Sequence, residues 1–173
     1  MKSVILFLCV LKASAEYLEN CKPLALAVKQ FDDELNENLN GRFLRKPAEY
    51  REIAEKCEEV INCIRVGDPE RAEEHVKRLG VCQFYMFYSR EFASCGYKLI
   101  AKKDEKITCL DFLFNDYDEL NESGETCKLW DSLQPCILDQ IDAFCAPDEP
   151  DIRKRFEEEV PKFRDNWCVE RGL

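Results

Sequence analysis

The side chains able to do acid–base or nucleophilic chemistry in this 173-residue chain are unevenly stocked: 11 cysteines, 35 carboxylates and one histidine, His75. One histidine rules out two-histidine ribonuclease chemistry. His75 falls in a short charged stretch, where a polar helix face predicts a surface imidazole. A cysteine–histidine nucleophile needs an unpaired thiol, and none is expected. Composition leaves a Ser-His-Asp set open, but there is no G-x-S-x-G elbow. H-E-x-x-H and P-loop motifs are also missing. The acidic run from Asp116 to Glu125 lacks the spacing and central glycine of a calcium loop, and reads as a polar interhelical turn. Two carboxylates could hydrolyse a glycosidic bond as acid and base, yet the sequence selects no pair from so many. No catalytic, cofactor-binding or metal-binding residue is assigned, and no cofactor is expected.

The cysteines carry a different message. Residues 1–15 read as a secretory signal: Lys2, an apolar run from Val4 to Leu11, then Ala13-Ser14-Ala15 as an A-x-A cleavage site. The run is shorter than the roughly 20 residues a bilayer span needs. The expected mature chain starts at Glu16, and 173 less 15 leaves 158 residues, enough for one domain with its own core. No second spanning run, lipid-anchor tail or KDEL-like signal follows, so release to the exterior is expected. Cys9 leaves with the signal. Cys21, Cys57, Cys63, Cys82, Cys95, Cys109, Cys127, Cys136, Cys145 and Cys168 remain. An even number in an oxidising compartment reads as a disulfide framework, here five bridges. C-x-x-C metal spacing is absent.

Losing Lys2 and Lys12 takes the net charge from −10 to −12. That argues against nucleic acid or an anionic membrane as a partner. A cationic ligand is one reading of the charge; solubility is the plainer one.

The elements that must position the cysteines are helical by periodicity. Leu24, Val28, Phe31, Leu35 and Leu39 form one apolar stripe, with Lys29, Asp32, Asp33, Glu34 and Glu37 off it; Asn40-Gly41 ends the helix. Pro47 opens a second helix, lined by Tyr50, Ile53, Cys57, Val60 and Ile64. Asp68 is expected as N-cap and Pro69 as the first residue of a third helix ending at Gly80. The aromatic run from Gln83 to Phe92 keeps helical spacing at Phe84, Tyr88, Phe92, Cys95 and Leu99. A charged linker, Lys102 to Lys106, precedes a short helix over Ile107 to Leu113. Thr126 to Phe144 is helical, with Pro135 expected to kink or split it. Ile152, Phe156, Val160, Phe163 and Trp167 line a last helix, which Pro161 should bend.

Helix geometry restricts the pairing. Cys57 and Cys63 lie about 9 Å apart along a helix axis, and Cys127, Cys136 and Cys145 about 13 Å apart in turn. A disulfide needs Cα atoms within about 7 Å. These neighbours cannot bond one another, so each must reach another segment. Nine residues turn a helix by about 900°, so Cys136 faces away from Cys127 and Cys145. Either this helix is sandwiched on two sides or Pro135 resets its phase. The connectivity itself stays open.

Asn121-Glu122-Ser123 is the N-x-[ST] sequon, in an expected exposed turn, and Asn121 is the candidate glycosylation site. The aromatics at 84–92, with Trp130 and Trp167, suit either a core or the lining of a lipid pocket.

The cysteine-bearing segments also resemble a known family. They are Cys95-Gly96-Tyr97-Lys98-Leu99, Cys109-Leu110-Asp111-Phe112-Leu113, the stretch from Cys127 through Trp130 and Pro135 to Cys136, Ile137 to Cys145, and Phe156 to Trp167-Cys168. The chain from about Cys21 to Cys168 is similar to a nematode secreted domain, catalogued as domain of unknown function nineteen. The resemblance implies an extracellular, many-cysteined helical module from a nematode, with no activity assigned. The family is described with about twelve cysteines against ten here, so one bridge is missing by that comparison.

The expectation is an all-α fold: a single disulfide-stapled helical domain of about six or seven helices over residues 16–173. The expected function is a secreted, non-enzymatic binding or interaction module for an unknown extracellular protein. The alternative is an extracellular carrier of a small apolar ligand in a helical cage. A carrier would need a closed apolar cavity of about 300 Å³ or more, lined by the 84–92 aromatics. An interaction module would show a contiguous exposed apolar patch.

Overall fold

The computed structural model describes residues 20–37, 43–115 and 125–170. Among them the chain is all-α, with eight helices and no strand. In chain order they are α1 (Lys22–Glu37), α2 (Arg51–Gly67), α3 (Ala72–Lys77), α4 (Gly80–Met86), α5 (Ala93–Ile100), α6 (Thr108–Phe114), α7 (Glu125–Phe144) and α8 (Ile152–Glu170). Helix α2 packs against α1, α3 and α4. Helix α4 also rests on α8, α8 on α7, and α7 on α5 and α6.

The apolar stripes set these contacts. Val28 and Leu35 of α1 are buried, as are Tyr50 and all four expected positions of α2 (Ile53, Cys57, Val60, Ile64). The aromatic run is helical as its spacing predicts, but not as one helix. Between α4 and α5 the chain makes a π-turn over Phe87–Glu91, in which the Phe92 N–H donates to the Phe87 carbonyl at 2.9 Å. The widened turn admits an extra residue, so Phe87, Tyr88 and Ser89 are buried in succession. This break accounts for an eighth helix where seven helical stretches were expected.

Prolines and caps depart from expectation in instructive ways. Helix α7 continues through Pro135 without splitting, while Pro161 lies inside α8 as expected. Pro47 opens a 3₁₀ turn, Pro47–Tyr50, that leads into α2. There the Glu49 side chain accepts the Lys46 N–H at 3.0 Å. Asp68 does cap, accepting the Arg71 N–H on Oδ1 at 3.3 Å, but the turn it caps becomes α-helix only at Ala72. Gly80 does not end a helix; it is the first residue of α4.

A non-helical strap, residues 43–46, runs through the middle of the fold. Phe43 and Leu44 are fully buried. Phe43 stacks on Trp130 at 4.8 Å and on Phe112 at 5.3 Å, and meets Phe163 edge-on at 5.6 Å. Backbone groups of the strap find partners on the elements around it, as burial demands. The Leu44 N–H donates to the Leu113 carbonyl at 2.8 Å, and Tyr88 donates its hydroxyl to the Arg45 carbonyl at 2.9 Å.

Pro47 follows the strap and presses on α5, where residue 96 is glycine. A Cβ built there would lie 2.8 Å from the Pro47 Cγ. Gly96→Ala is therefore expected to destabilise the fold by about 1–3 kcal/mol through overpacking. At Gly80, an added Cβ meets only the flexible Lys162 side chain, at 3.5 Å. Gly80→Ala is expected to change stability by less than about 0.5 kcal/mol. Urea denaturation of the two variants measures the contrast, and equal losses would refute it.

Candidate functional site

The residues singled out by chemistry converge on three places: the disulfides, a buried polar cluster and a histidine–aspartate pair. Four bridges are described. Cys21–Cys63 ties the start of α1 to α2, and Cys57–Cys82 ties α2 to α4. Cys95–Cys145 ties α5 to the end of α7, and Cys109–Cys136 ties α6 to α7. Their Cα separations are 5.7, 5.3, 5.3 and 6.1 Å. Cys127 is disulfide-bonded as well. The Cys168 side chain, Asn121 and the predicted signal lie outside the described residues. Cys57 and Cys63 take different partners, and so do Cys136 and Cys145, as the helix-rise argument requires. Since α7 is unbroken at Pro135, its cysteines reach α6 and α5 by pointing to different sides of one helix.

The buried polar cluster was not anticipated. Asp32 was placed on the solvent face of α1, yet it is 5% exposed. The reason is a partner 53 residues away: Tyr85 of α4 donates its hydroxyl to the Asp32 carboxylate. The Tyr85 ring stacks on Tyr50 at 5.4 Å, and Tyr50 meets Tyr88 edge-on at 5.2 Å. The Arg45 N–H donates to the Tyr50 hydroxyl at 3.3 Å. The Arg45 guanidinium donates to the Leu35 carbonyl at 3.1 Å and lies 3.5 Å from Glu49. These groups join α1, the strap, the 3₁₀ turn before α2, α4 and the π-turn. Asp32, Tyr50, Tyr85 and Tyr88 are buried among aromatic rings, while Arg45 is partly exposed and Glu49 reaches solvent, so the cluster serves cohesion.

His75 is likewise not the surface histidine its charged surroundings suggested; it is 2% exposed. Ala72 and Val76, also buried, share its helix. Its Nε2 lies 3.5 Å from the Asp68 Oδ2, which also has the Arg71 Nε at 3.3 Å. Neither imidazole nitrogen has a hydrogen-bond partner among the described residues. A histidine activating a serine would be bonded to its hydroxyl; this one faces only a carboxylate from the α2–α3 corner. No group of three or more His, Cys, Asp or Glu side chains among the described residues is arranged to hold a metal ion.

The aromatics at 84–92 form packed core. Phe84 stacks on Phe163 at 4.5 Å and on Tyr88 at 5.3 Å; Phe92 sits 4.9 Å from Phe156. Each ring's faces are occupied by other rings, where a ligand would have to sit. A concavity lies elsewhere, as an open groove of about 510 Å³ along the solvent face of α2, lined by Ala48, Arg51, Glu52, Glu55, Lys56 and Glu59. Among the described residues, the large apolar side chains that remain exposed are Leu26, Val66, Tyr97 and Leu129, on four different helices. They are singly scattered, so the contiguous apolar patch expected of an interaction module is not seen among the described residues.

The rest of the described surface is ion-paired across helices. Arg90 reaches Glu58 of α2 at 2.6 Å and Arg155 of α8 reaches Glu91 at 2.6 Å. Arg164 of α8 reaches Asp131 of α7 at 2.9 Å, and Arg153 pairs with Asp142. The Arg90 guanidinium holds the Glu58 carboxyl below the usual carboxylate range. Exposed pairs of this kind are screened by solvent and contribute little to stability. They orient helices more than they hold them.

Burial lifts the Tyr50 hydroxyl well above the ordinary phenol range, against a smaller opposing effect of the Arg45 backbone. It lifts Tyr88 also, with the Tyr50 hydroxyl adding to the effect. The folded chain therefore keeps two protons that the unfolded chain sheds. Their contribution is complete below pH about 10 and is lost as pH rises beyond it, at roughly 1.4 kcal/mol per pH unit for each tyrosine. Tyrosinate absorbance is expected to show two tyrosines ionising only with loss of the far-ultraviolet helix signal. Six tyrosines titrating independently near pH 10, with the fold intact, would be the contrary result.

Comparison with known proteins gives one match. The model of a family described as a domain of unknown function, DUF19, matches residues 9–168. No curated protein and no solved structure matches the chain.

Proposed function

Given that the chain belongs to the DUF19 family, we propose that it is a secreted, non-enzymatic binding module that meets its partners through its outer surface. The observation carrying this reading is where the chemistry-bearing side chains are spent. The nine cysteines with described side chains are bonded in disulfides. The buried carboxylate Asp32 is bound by Tyr85, and the one histidine is enclosed beside Asp68. What faces outward is charged helix surface, including the groove on α2.

Release to the exterior is supported by the disulfides, which persist in oxidising compartments, and by the signal-like residues 1–15. No helix among the described residues is long and apolar enough to cross a membrane. The carrier reading is weakened by the ring-on-ring packing around Phe84 and Tyr88. A described surface on which large apolar side chains are only singly scattered suits a polar, charge-guided encounter, in which the −12 charge expected of the mature chain favours a basic partner.

Native mass spectrometry of the protein recovered from extracellular fluid tests the proposal. The expected species begins at Glu16, contains no free thiol, carries glycan at Asn121 and holds no small-molecule adduct. A stoichiometric apolar adduct that survives desalting would favour the carrier instead. Absence of the protein from the extracellular fluid, with a chain that retains residues 1–15 and free thiols inside the cells, would overturn secretion.

A further inference from the structure

The bridges divide the molecule unevenly. Cys21–Cys63 and Cys57–Cys82 close within residues 21–82, and Cys109–Cys136 closes within residues 109–136. Of the four described bridges, Cys95–Cys145 alone spans the charged linker Lys102–Lys106. That linker is a 3₁₀ turn over Lys103–Glu105, ending at Lys106. Lys106 is exposed, and with φ 59° it is the described non-glycine residue in the left-handed region. A lysine there gives up conformational energy that a glycine would not. The next residue, Ile107, is extended. Neither Lys106 nor Ile107 donates a backbone hydrogen bond among those described, while the Ile107 carbonyl accepts the Leu110 and Asp111 N–H groups at 2.9 and 3.0 Å and its side chain packs partly on the core, so the anchored side of the bond is the α6 side.

The three linker lysines are not equivalent. Lys102 is held by Glu105 at 2.7 Å and lies over the Phe144 ring at 5.4 Å. Lys103 is half-buried and is followed by Asp104, an acid at the position that would follow a cut. Lys106 is exposed and followed by an apolar residue. A trypsin-like protease needs an accessible basic side chain and a backbone it can draw out into extended form. Exposed turns supply both, and helices do not.

We propose that the Lys106–Ile107 bond is a processing site for a trypsin-like protease, and that the cut protein persists in a two-chain form joined through Cys95–Cys145. In the step, water adds across the peptide bond, leaving a carboxylate on Lys106 and an amine on Ile107. The pieces are held by more than the bridge. Phe163 and Phe156 of the C-terminal piece stack on Phe84 and Phe92 of the N-terminal piece. The Leu44 N–H donates to the Leu113 carbonyl across the same divide. A protease in the extracellular setting inferred above would meet this bond; the site itself does not depend on that setting.

Limited trypsin digestion of the oxidised, folded protein tests it, with mass analysis before and after reduction. The expected first product is one water heavier than the intact chain without reductant, and gives two chains with reductant, one of them starting at Ile107. Lys106→Gln should slow that first cut at least tenfold, while Lys103→Gln leaves it unchanged. Helical circular dichroism should be the same for both variants and for the cut protein. A first cut elsewhere, equal effects of the two substitutions, or pieces that part without reductant would each overturn the proposal.

Discussion

A helix rises about 1.5 Å per residue while a disulfide spans about 5–6 Å between Cα atoms, and this mismatch organises the molecule. Cysteines six or nine residues apart on one helix cannot close on each other. They become outward anchors. Helix α2 sends Cys57 to α4 and Cys63 to the start of α1. Helix α7 and its C-terminal end send Cys136 to α6 and Cys145 to α5. Two helices thus each gather two neighbours, and the bundle is built around them. Each bridge contributes about 2–4 kcal/mol by restricting the unfolded chain.

The aromatic core joins what the bridges leave apart. Phe163 of α8 meets Phe43 of the strap and Phe84 and Tyr85 of α4, and Phe156 of α8 meets Phe92 beside the π-turn, so the rings form one linked chain of contacts. The strap depends on this arrangement and also enforces it. Its backbone is bonded to Leu113 and Tyr88, and Pro47 beyond it presses on α5 at Gly96. Burying Asp32 would be costly alone; the Tyr85 hydroxyl makes it part of the seam between α1 and α4.

Local periodicity made much of this legible in the sequence. The stripes of α1, α2 and α8 are carried by spacing alone, as is the exclusion of a Cys57–Cys63 bridge. What was not legible depends on distant partners. Asp32 looks solvated until Tyr85 is brought beside it, and nothing local to His75 says that its charged helix turns the ring inward. The π-turn follows from packing consecutive rings, not from propensity. Pro135 shows the opposite limit: of the kink or split expected there, the split does not occur, and the helix runs on through it to Phe144 beside the Cys136 and Cys145 bridges. The choice among pairings compatible with helix geometry was equally beyond a single sequence, because it needs the order of helices in space.

Peptide mapping of the unreduced protein, digested at acid pH to prevent exchange, tests the central claim most directly. The account predicts cross-linked peptides joining Cys21 to Cys63, Cys57 to Cys82, Cys95 to Cys145 and Cys109 to Cys136. Recovery of a Cys57–Cys63 or Cys136–Cys145 link would contradict it, since neither can close while its segment remains a helix.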